Sequence, residues 1–349
     1  MKRKQNNVNI YMIAEKAGVS KSTVSRVLNN KEAVNNKTRE KVLEVIEKLN
    51  YKPNSSAKGL ATQKTKTVGL VVSEITSSFF SMFVKGAEDK AMEENYNIML
   101  ANSNWVVEEE LKCIRMFEEG RVDGILKISG GGEELLNEYL KNIANKDIPI
   151  VVIDRKIDNE IIPKINVDNV NAAYKGTKYL IELGHKKIAF IKGDDVAASY
   201  ASSDRLKGYK KALAEAGITE TITASGHFDR ESAYQATHKI LKENKGISAI
   251  FYASDMMAVG GLKAIKELGL EVPADISVLG CDDIELASIV DPALTTLKQP
   301  RYKMGYLGME KLINRLEGKD KKTYADDVIF EMELIQRAST GFYRPRNKR

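Results

Sequence analysis

Near its start, the chain alternates apolar and polar residues at the spacing of two short helices joined by a tight turn. Ile13, Ala14 and Ala17 form one apolar stripe on the first helix. Gly18 favours the left-handed backbone that ends a helix, and Ser20 is a good N-cap for a second helix. The second helix places its apolar side chains on its inner face: Val24, Val27 and Leu28.

The second helix is predicted to run from Lys21 to about Asn29, with polar side chains crowded on its outer face. A tight turn followed by such a helix is typical of helix-turn-helix DNA readers. The alternative is an ordinary helical hairpin inside a core, but that would not need Lys, Ser and Arg on one short face. A third helix is predicted after Asn35 and ends near Asn50. The polar segment 51–67 that follows is predicted to be a linker with at most one short helix.

From Val68 onward the pattern changes to short apolar strands that alternate with amphipathic helices. Strands are predicted at Val68–Ser73, Ile98–Asn102, Gly124–Ile128, Ile150–Asp154, Lys187–Ile191, Ile222–Ser225, Ala249–Ala253 and Ser277–Leu279. This alternation predicts two doubly wound, parallel-sheet α/β lobes behind a small all-α head. One more helix, Tyr302–Leu316, and one more strand, Val328–Glu333, indicate that the chain crosses back to complete both lobes.

Charge is distributed unevenly along the 349 residues. Residues 1–66 contain 15 Lys and Arg against 5 Asp and Glu, whereas the remainder contains 39 against 43. A small basic head on a mildly acidic body fits a polyanionic partner contacted by the head. Double-stranded DNA is the expected partner.

Sequence features of other protein classes are missing. The two cysteines, Cys113 and Cys281, have no metal-ligand or disulfide-framework spacing, so we expect buried, reduced thiols. The basic N-terminus leads into no apolar segment, and no run approaches transmembrane length, so a cytoplasmic protein without membrane contact is expected. No nucleophile, metal-ligand or phosphate-loop motif appears, so neither an enzyme nor a cofactor is expected.

The chain resembles the lactose-repressor/galactose-repressor family of bacterial transcription regulators over nearly its whole length. The segments that carry the resemblance are AEKAGVSKSTVSRVLNN, TREKVLEVIEKLNYKPN, KTVGLV, RVDGILKIS, ELGHKKIAFIKG, RLKGYKKAL, ASDMMAVGGLKAIKELGLEVPADISVLGCDDI and DPALTTLKQP. The resemblance implies a dimer that binds pseudo-palindromic operator DNA, with periplasmic-binding-protein-like lobes around a small-molecule cleft. The implied parts are a head (1–50), a hinge linker (51–67), and a body (68–341) with lobes at about 68–165 plus 296–325 and 166–295 plus 326–341.

Within this resemblance, the second helix would read bases in the major groove. Lys21 and Ser22 lie at its start, and Arg26 can present a bidentate fork to guanine. Phosphate contacts are assigned to Thr23, Ser25, Asn29 and Thr38. The Thr23 hydroxyl could instead satisfy the first helical turn, and Asn29 could cap its own helix.

Further DNA contacts are assigned to the first helix and the linker: Tyr11, Asn54, Ala57, Lys58 and Leu60. In the resembling family, paired hinge helices insert leucines between base steps of the minor groove and kink the DNA. Leu60 would be that wedge. Its alternative role is to pack against the body.

The candidate effector residues follow strands of the body, whose carboxyl ends line the cleft of such folds: Phe79, Phe80, Lys127, Asp154, Arg155, Arg205, Phe228, Ser254, Asp255 and Asp282. Either Phe79 or Phe80 would stack on the ligand, although each could instead belong to the core. Asp282 would accept ligand hydroxyl groups and Arg205 would donate to the ligand. Asp255 could serve only as a helix cap.

The expected effector is sugar-like: a sugar, sugar acid or sugar phosphate. An acidic ligand is favoured because Lys127, Arg155 and Arg205 could surround it with only Asp282 and Asp154 opposing them. In the alternative, Lys127 points to solvent and Arg155 pairs with Asp154 or Asp158.

The expected function is a repressor of a carbohydrate-use operon in which effector binding closes the lobes and alters the hinge. One alternative keeps the fold but makes a phosphoprotein the controlling partner, through a basic patch near Arg301 and Lys303. A solute-binding protein for transport would need a secretion signal and no basic head. A sugar-metabolising enzyme would need a catalytic constellation in the cleft.

Overall fold

A computed structural model describes residues 9–28, 34–51, 64–120, 122–129, 134–146, 148–193, 200–319 and 324–345. The chain forms two compact units, Met1–Thr65 and Lys66–Arg349. From here on, head and body denote these two units, which are wider than the ranges implied by the resemblance.

The described part of the head contains three helices: α1 Ile10–Ala17, α2 Lys21–Leu28 and α3 Asn36–Lys48. Side chains from the predicted apolar stripes are buried at its centre: Ile13, Ala14, Ala17, Val24, Val27 and Val42. Gly18 has a φ of 62°, and the Val19 N–H donates to the Ala14 carbonyl at 3.0 Å, which ends α1. The predicted helix, turn and helix are therefore present.

The body alternates strands and helices. Its strands are β1 Thr67–Val72, β2 Asn97–Asn102, β3 Gly124–Ile128, β4 Ile150–Ile153, β5 Lys164–Val167, β6 Ile188–Lys192, β7 Ile222–Ser225, β8 Ala249–Tyr252, β9 Ser277–Asp282, β10 Thr295–Lys298, β11 Val328–Phe330 and β12 Glu333–Ile335. Its helices are α4 Ser78–Glu93, α5 Val107–Glu118, α6 Glu134–Ala144, α7 Asn169–Glu182, α8 Tyr200–Glu215, α9 Arg230–Glu243, α10 Asp255–Glu267, α11 Glu285–Ile289 and α12 Arg301–Leu316.

The strands form two six-stranded sheets, one in each lobe. The first sheet is parallel throughout, in the spatial order β11, β5, β4, β3, β1, β2. The second has the order β12, β10, β9, β8, β6, β7, and only β12 runs antiparallel to its neighbour. Buried apolar runs such as Val68–Val72 are typical of parallel strands covered by helices on both faces. The predicted doubly wound architecture is confirmed.

The chain passes between the two sheets three times: after β5, after β10, and between β11 and β12. The predicted single strand Val328–Glu333 is wrong, because its first part pairs with β5 and its continuation pairs with β10. One strand cannot lie in both sheets, so the ladder breaks at Glu331 and Met332. The predicted lobe limits shift accordingly, since residues 328–330 belong to the first sheet and 295–298 to the second.

His185 attaches the C-terminal segment to the second lobe. Its buried ring accepts a hydrogen bond from the Ser248 hydroxyl at Nδ1 (2.9 Å) and donates from Nε2 to the Gly341 carbonyl (3.0 Å). This assignment follows because a carbonyl can only accept. Burial lowers the pKa of His185, although the bond to Gly341 opposes the change.

We therefore expect His185 to make the free energy of unfolding depend on pH. The folded-state pKa lies below the unfolded value of about 6.5, so the stability that the neutral ring contributes is complete above that pH and decreases below it. His185→Gln should flatten the stability profile between about pH 7 and pH 5, measured by denaturant titration. Identical slopes for the variant and the original chain would contradict this account.

Candidate functional site

The start of α2 is fixed by Ser20. Its Oγ accepts a hydrogen bond from the Thr23 N–H at 3.1 Å and lies 2.7 Å from the Ser22 hydroxyl and 2.9 Å from the Thr23 hydroxyl. This N-cap holds the first turn of α2 in one orientation. The Thr23 hydroxyl thus has the local role that was its alternative, although the geometry does not prevent a phosphate contact.

The outer face of α2 carries exposed donors. Lys21, Ser22 and Arg26 are exposed, and no hydrogen bond or ion pair to the Arg26 guanidinium occurs within the described ranges. The Lys21 ammonium donates to the Tyr11 hydroxyl at 3.1 Å and lies 4.7 Å from the centre of its ring. Tyr11, which is 63% exposed, therefore shares one surface with Lys21.

Other predicted DNA-contacting residues differ in what the structure shows of them. Thr38 lies in the first turn of α3, where its N–H donates to the Asn35 side chain at 2.8 Å, and it is half-buried. Ser25 is half-buried on α2. The remaining predicted residues lie outside the described ranges: Asn29, Asn54, Ala57, Lys58 and Leu60.

In the body, predicted effector residues lie where strands end, and several have unusual backbone conformations. Asp154 after β4, Phe228 after β7 and Asp282 at the end of β9 have φ values of 54°, 52° and 116°. Non-glycine residues rarely adopt positive φ, and such strain is concentrated at binding sites.

Arg205 and Asp282 form a buried ion pair in the second lobe. The Arg205 Nη2 lies 3.4 Å from the Asp282 Oδ1, its Nε donates to the Asn169 side chain at 2.8 Å, and its Nη1 donates to the Ala253 carbonyl. Burial raises the pKa of Asp282 to about 6, although Arg205 and Arg301 act in the opposite direction. Arg205 and Arg301 therefore favour the charged form of Asp282, which burial disfavours.

Among the described residues, the side chains of Tyr200, Lys156 and Arg301 join the two lobes across this region. The Tyr200 hydroxyl lies 3.2 Å from the Asp154 Oδ1 and 3.0 Å from the Asn166 Oδ1, two acceptors of the first lobe. Lys156 forms an ion pair with Asp204 at 2.5 Å.

The third contact comes from Arg301 at the start of α12. Its guanidinium donates to the carbonyls of Ser78 and Phe79 at 3.1 Å and to the Asp283 carbonyl at 2.8 Å. Arg301 is buried, so it is not available for the surface patch that was predicted near Lys303.

Lys127 neither points to solvent nor lacks a nearby carboxylate, so both expectations for it are wrong. Its fully buried ammonium forms an ion pair with Glu110 and donates to the Ser129 carbonyl. Burial lowers the pKa of Lys127 to about 8, against the opposite effect of Glu110. Arg155 pairs with neither Asp154 nor Asp158; its Nε and Nη2 donate to the Asn137 side chain at 3.2 and 2.7 Å.

Asp255 has a structural role, because both of its carboxylate oxygens have partners in the protein. The Thr296 hydroxyl donates to Oδ1 at 2.6 Å, and the Ile284 N–H donates to Oδ2 at 3.0 Å. The N-cap of α10 is Ser254, whose Oγ accepts from the Met257 N–H. Asp255 therefore joins α10 to neighbouring segments through both of its carboxylate oxygens.

The two phenylalanines at the start of α4 differ in exposure. Phe80 is 2% exposed and packs in the core beside Trp105, so its assignment to the ligand is wrong. Phe79 is half-buried beneath the Arg301 guanidinium and can present its ring. Phe228 is half-buried, and its ring occupies the space where a side chain at Gly193 would lie.

Comparisons with known proteins are consistent with both units. Residues 9–54 match the lacI family of bacterial regulatory proteins, and residues 177–340 match the periplasmic binding protein-like domain. The HTH-type transcriptional regulator RegA of Clostridium saccharobutylicum is 38% identical over 332 residues, which cover 94% of this chain and 98% of that protein. The chain belongs to the lacI family of bacterial regulatory proteins.

Other members of the lacI family are similarly related. Catabolite control protein A of Priestia megaterium is 37% identical over 308 residues, covering 88% of this chain and 92% of that protein. A lac repressor dimer bound to operator and the anti-inducer ONPF has a TM-score of 0.85 at 29% identity, covering 96% and 100% of the two chains. A CelR–cellobiose complex has a TM-score of 0.72 at 30% identity, covering 95% and 99%. This lacI-family chain is a sequence-specific DNA-binding transcriptional regulator.

In this lacI-family regulator, several buried polar atoms have no hydrogen-bond partner among the described residues, and most belong to residues that the sequence did not single out as ligand contacts. Within the described ranges, buried polar atoms without a hydrogen-bond partner include Ser73 Oγ, Asn169 Nδ2, Arg155 Nη1, Arg301 Nε and both polar atoms of the Gln299 side chain. Buried polar groups are usually satisfied, so these atoms are candidates to bind a ligand. Ser73, Asn169 and Gln299 each follow a strand, a signal that the sequence offered. The described residues place no group of three metal-ligating side chains together, and no described helix could span a membrane.

Proposed function

We propose that this regulator represses transcription by binding a pseudo-palindromic operator as a homodimer, with α2 in the major groove. The observation that carries the proposal is the outer face of α2, where Lys21, Ser22 and Arg26 are exposed on a helix fixed at its start by Ser20. Tyr11 and Thr38 would contact phosphates on either side. The similarity to a lac repressor dimer bound to operator supports the dimeric arrangement.

The linker residues are part of the same proposal. Leu60 would enter the minor groove as an apolar wedge, and Asn54, Ala57 and Lys58 would contact the adjacent backbone. Asn29 would complete the phosphate contacts of α2. The basic balance of residues 1–66 supports this assignment.

The operator can be found by selection from a pool of random duplexes with the purified chain. Fluorescence anisotropy should then show tighter binding of the selected duplex than of a scrambled one, and sedimentation should show two chains per duplex. Affinity should fall steeply with salt, because phosphate contacts release counterions. Equal affinity for selected and scrambled duplexes would contradict the proposal.

We further propose that a neutral, polyhydroxylated effector binds between the lobes and regulates carbohydrate-use genes. Buried or half-buried charges around the cleft balance: Lys127, Arg155, Arg205 and Arg301 against Glu110, Asp154, Asp255 and Asp282. By this count of formal charges an anionic ligand would meet no surplus positive charge, so we favour a neutral effector over the acidic one expected from the sequence. Carboxylate acceptors with unpartnered amide donors suit hydroxyl groups, and a similar chain binds cellobiose.

Thermal unfolding of the full chain distinguishes these ligand classes. A ligand present at about 100 times its dissociation constant adds about 2.7 kcal/mol of stability. Neutral mono- and disaccharides should include a stabilising ligand, whereas the matching sugar acids and sugar phosphates should not. Stabilisation by an acidic sugar alone would contradict the neutral assignment.

Gln299→Leu should abolish the response to the effector without lowering the stability of the fold. The two polar atoms of the Gln299 side chain are buried and lack partners. Replacing the amide with an apolar side chain should therefore leave the free energy of unfolding unchanged or raise it by about 1–3 kcal/mol. The same change removes hydrogen bonds to the effector, so the ligand-induced thermal shift should disappear. A variant that is clearly destabilised, or that keeps the full ligand response, would contradict a ligand role for Gln299.

Control of DNA binding would follow from lobe closure. The contacts of Tyr200, Lys156 and Arg301 join the lobes, so a ligand with different affinity for open and closed arrangements would shift their populations. We infer that the chain acts in the cytoplasm and regulates without catalysing a reaction, because its relatives are named as transcriptional regulators and repressors.

A further inference from the structure

The first residue of the body, Lys66, is held in a strained conformation by its neighbours. Its φ is 52°, which a side chain other than glycine rarely adopts. Its N–H donates to the Asp123 Oδ2 at 2.8 Å, and its carbonyl accepts from the Asn97 N–H at 2.8 Å. Such a conformation persists only where the surrounding contacts fix it.

The Lys66 side chain is fixed as well. Its ammonium donates to the Glu317 Oε1 at 2.9 Å and lies 4.2 Å from the centre of the Tyr96 ring. The Tyr96 hydroxyl donates to the same Glu317 oxygen at 2.6 Å. Burial raises the pKa of Tyr96, so its hydroxyl remains a donor. We call Lys66, Tyr96 and Glu317 the clamp.

The clamp is joined to the cleft by one helix. Glu317 directly follows α12, and Arg301, which bonds to the Asp283 carbonyl of the second lobe, begins α12. A helix of this length spans about 24 Å. If a helix of this length moves as a rigid body, a displacement at Arg301 would reach Glu317.

Glycines on α4 and α12 allow these two packed helices to approach each other closely. At Gly86 a side-chain carbon would lie 2.1 Å from the Tyr302 carbonyl oxygen, and at Gly305 one would lie 2.0 Å from the Phe83 carbonyl oxygen. The backbones are therefore in contact at these glycines, and the hydroxyls of Tyr302 and Tyr306 on α12 donate to Asp89 and Glu93 on α4. Helix shifts of about 1–2 Å are a common form of allosteric change.

We propose that α12 transmits lobe closure to the start of the body, and that Glu317 is a positioning residue that sets where Lys66 lies. This inference rests on the proposed effector-controlled DNA binding. Lys66 is the point at which the chain from the head joins the first sheet, so a change in its position changes the anchorage of the preceding linker.

Hydrogen–deuterium exchange of the full, ligand-free chain tests the transmission. Arg301→Gln removes an interlobe contact on α12, whereas the control Lys156→Gln removes one elsewhere. We expect the amides of Lys66 and Asn97 to exchange about tenfold faster in Arg301→Gln, as when one hydrogen bond is weakened, and unchanged in Lys156→Gln. Equal exchange in both variants, whether accelerated or not, would overturn the proposal.

DNA binding tests the positioning role with Glu317→Gln. The control is Glu94→Gln, since Glu94 pairs with Lys90 and Lys319 but not with Lys66. On an operator selected by the unchanged chain, Glu317→Gln should alter affinity by about tenfold while leaving affinity for scrambled DNA unchanged, as expected for one charge-assisted hydrogen bond. Glu94→Gln should alter neither.

The exchange experiment and the DNA-binding experiment together distinguish failure of the proposed function from failure of the inference about α12 and Glu317. If the unchanged chain selects no operator, the proposed function fails, and the exchange experiment still decides whether α12 links the two ends. If an operator is selected but Glu317→Gln behaves like Glu94→Gln, the positioning role of Glu317 is refuted while the proposed function stands.

Discussion

Replacing Arg26 with alanine should remove most of the preference of the chain for its operator. Arg26 is exposed on the outer face of α2, one turn beyond Ser22. Loss of a bidentate guanine contact costs about 1–3 kcal/mol, or roughly 5- to 150-fold in affinity. Binding to scrambled DNA should change little, because non-specific binding depends on many phosphate contacts. Anisotropy titrations with both duplexes measure the difference.

Lys48→Ala provides the matched control for Arg26→Ala. Lys48 is an exposed cation at the end of α3 that pairs with Glu44 at 3.6 Å. Its removal subtracts the same charge from the head without touching α2. If both variants lose the same affinity for operator and scrambled DNA, Arg26 contributes only its charge and does not read a base.

Replacing Arg205 with methionine should have the largest effect on stability in the body. Arg205 is buried and compensates Asp282, so its loss leaves a carboxylate without its counter-charge. Breaking a buried pair in this way costs about 3–5 kcal/mol. Denaturant titration should show this loss at neutral pH, and the effector response should disappear.

The pH dependence identifies the cause of that loss. Without Arg205 the folded-state pKa of Asp282 should rise above its present value of about 6. A carboxyl group whose folded pKa exceeds its unfolded value is stabilising at low pH and loses that contribution as pH rises, so the deficit should be smaller near about pH 5 than near about pH 8. Adding Asp282→Asn should restore much of the stability. A double variant as unstable as Arg205→Met would contradict the charge explanation.

The fold could be predicted from the sequence where helices and strands were long and strongly patterned. The three head helices and most strands of both lobes follow directly from apolar spacing. β5 and β10 were missed because each has only four residues and a mixed apolar pattern. The division of residues 328–335 between two sheets depends on pairing partners far away in sequence, which local patterns do not contain.

The site was predicted less completely, because residue type does not reveal which neighbours a side chain meets. Arg205 and Asp282 were predicted to line one cleft, and they form a buried ion pair at 3.4 Å, although Arg205 lies within α8 and not at a strand end. Glu110 was not considered as the partner of Lys127, since it comes from a helix whose acidic residues otherwise look solvent-exposed. Phe79 and Phe80 are adjacent and chemically identical, so only tertiary packing distinguishes the half-buried ring of Phe79 from the buried ring of Phe80.

The three passages between the sheets also constrain how such a protein can change during evolution. Neither lobe is encoded by one continuous stretch, because α12 and β11 of the first lobe lie between β10 and β12 of the second. A recombination event with one breakpoint inside the body would therefore exchange incomplete lobes and leave sheet edges without their strands. Point substitutions at strand ends, or exchange of the whole body behind Lys66, change the effector cleft without breaking either sheet.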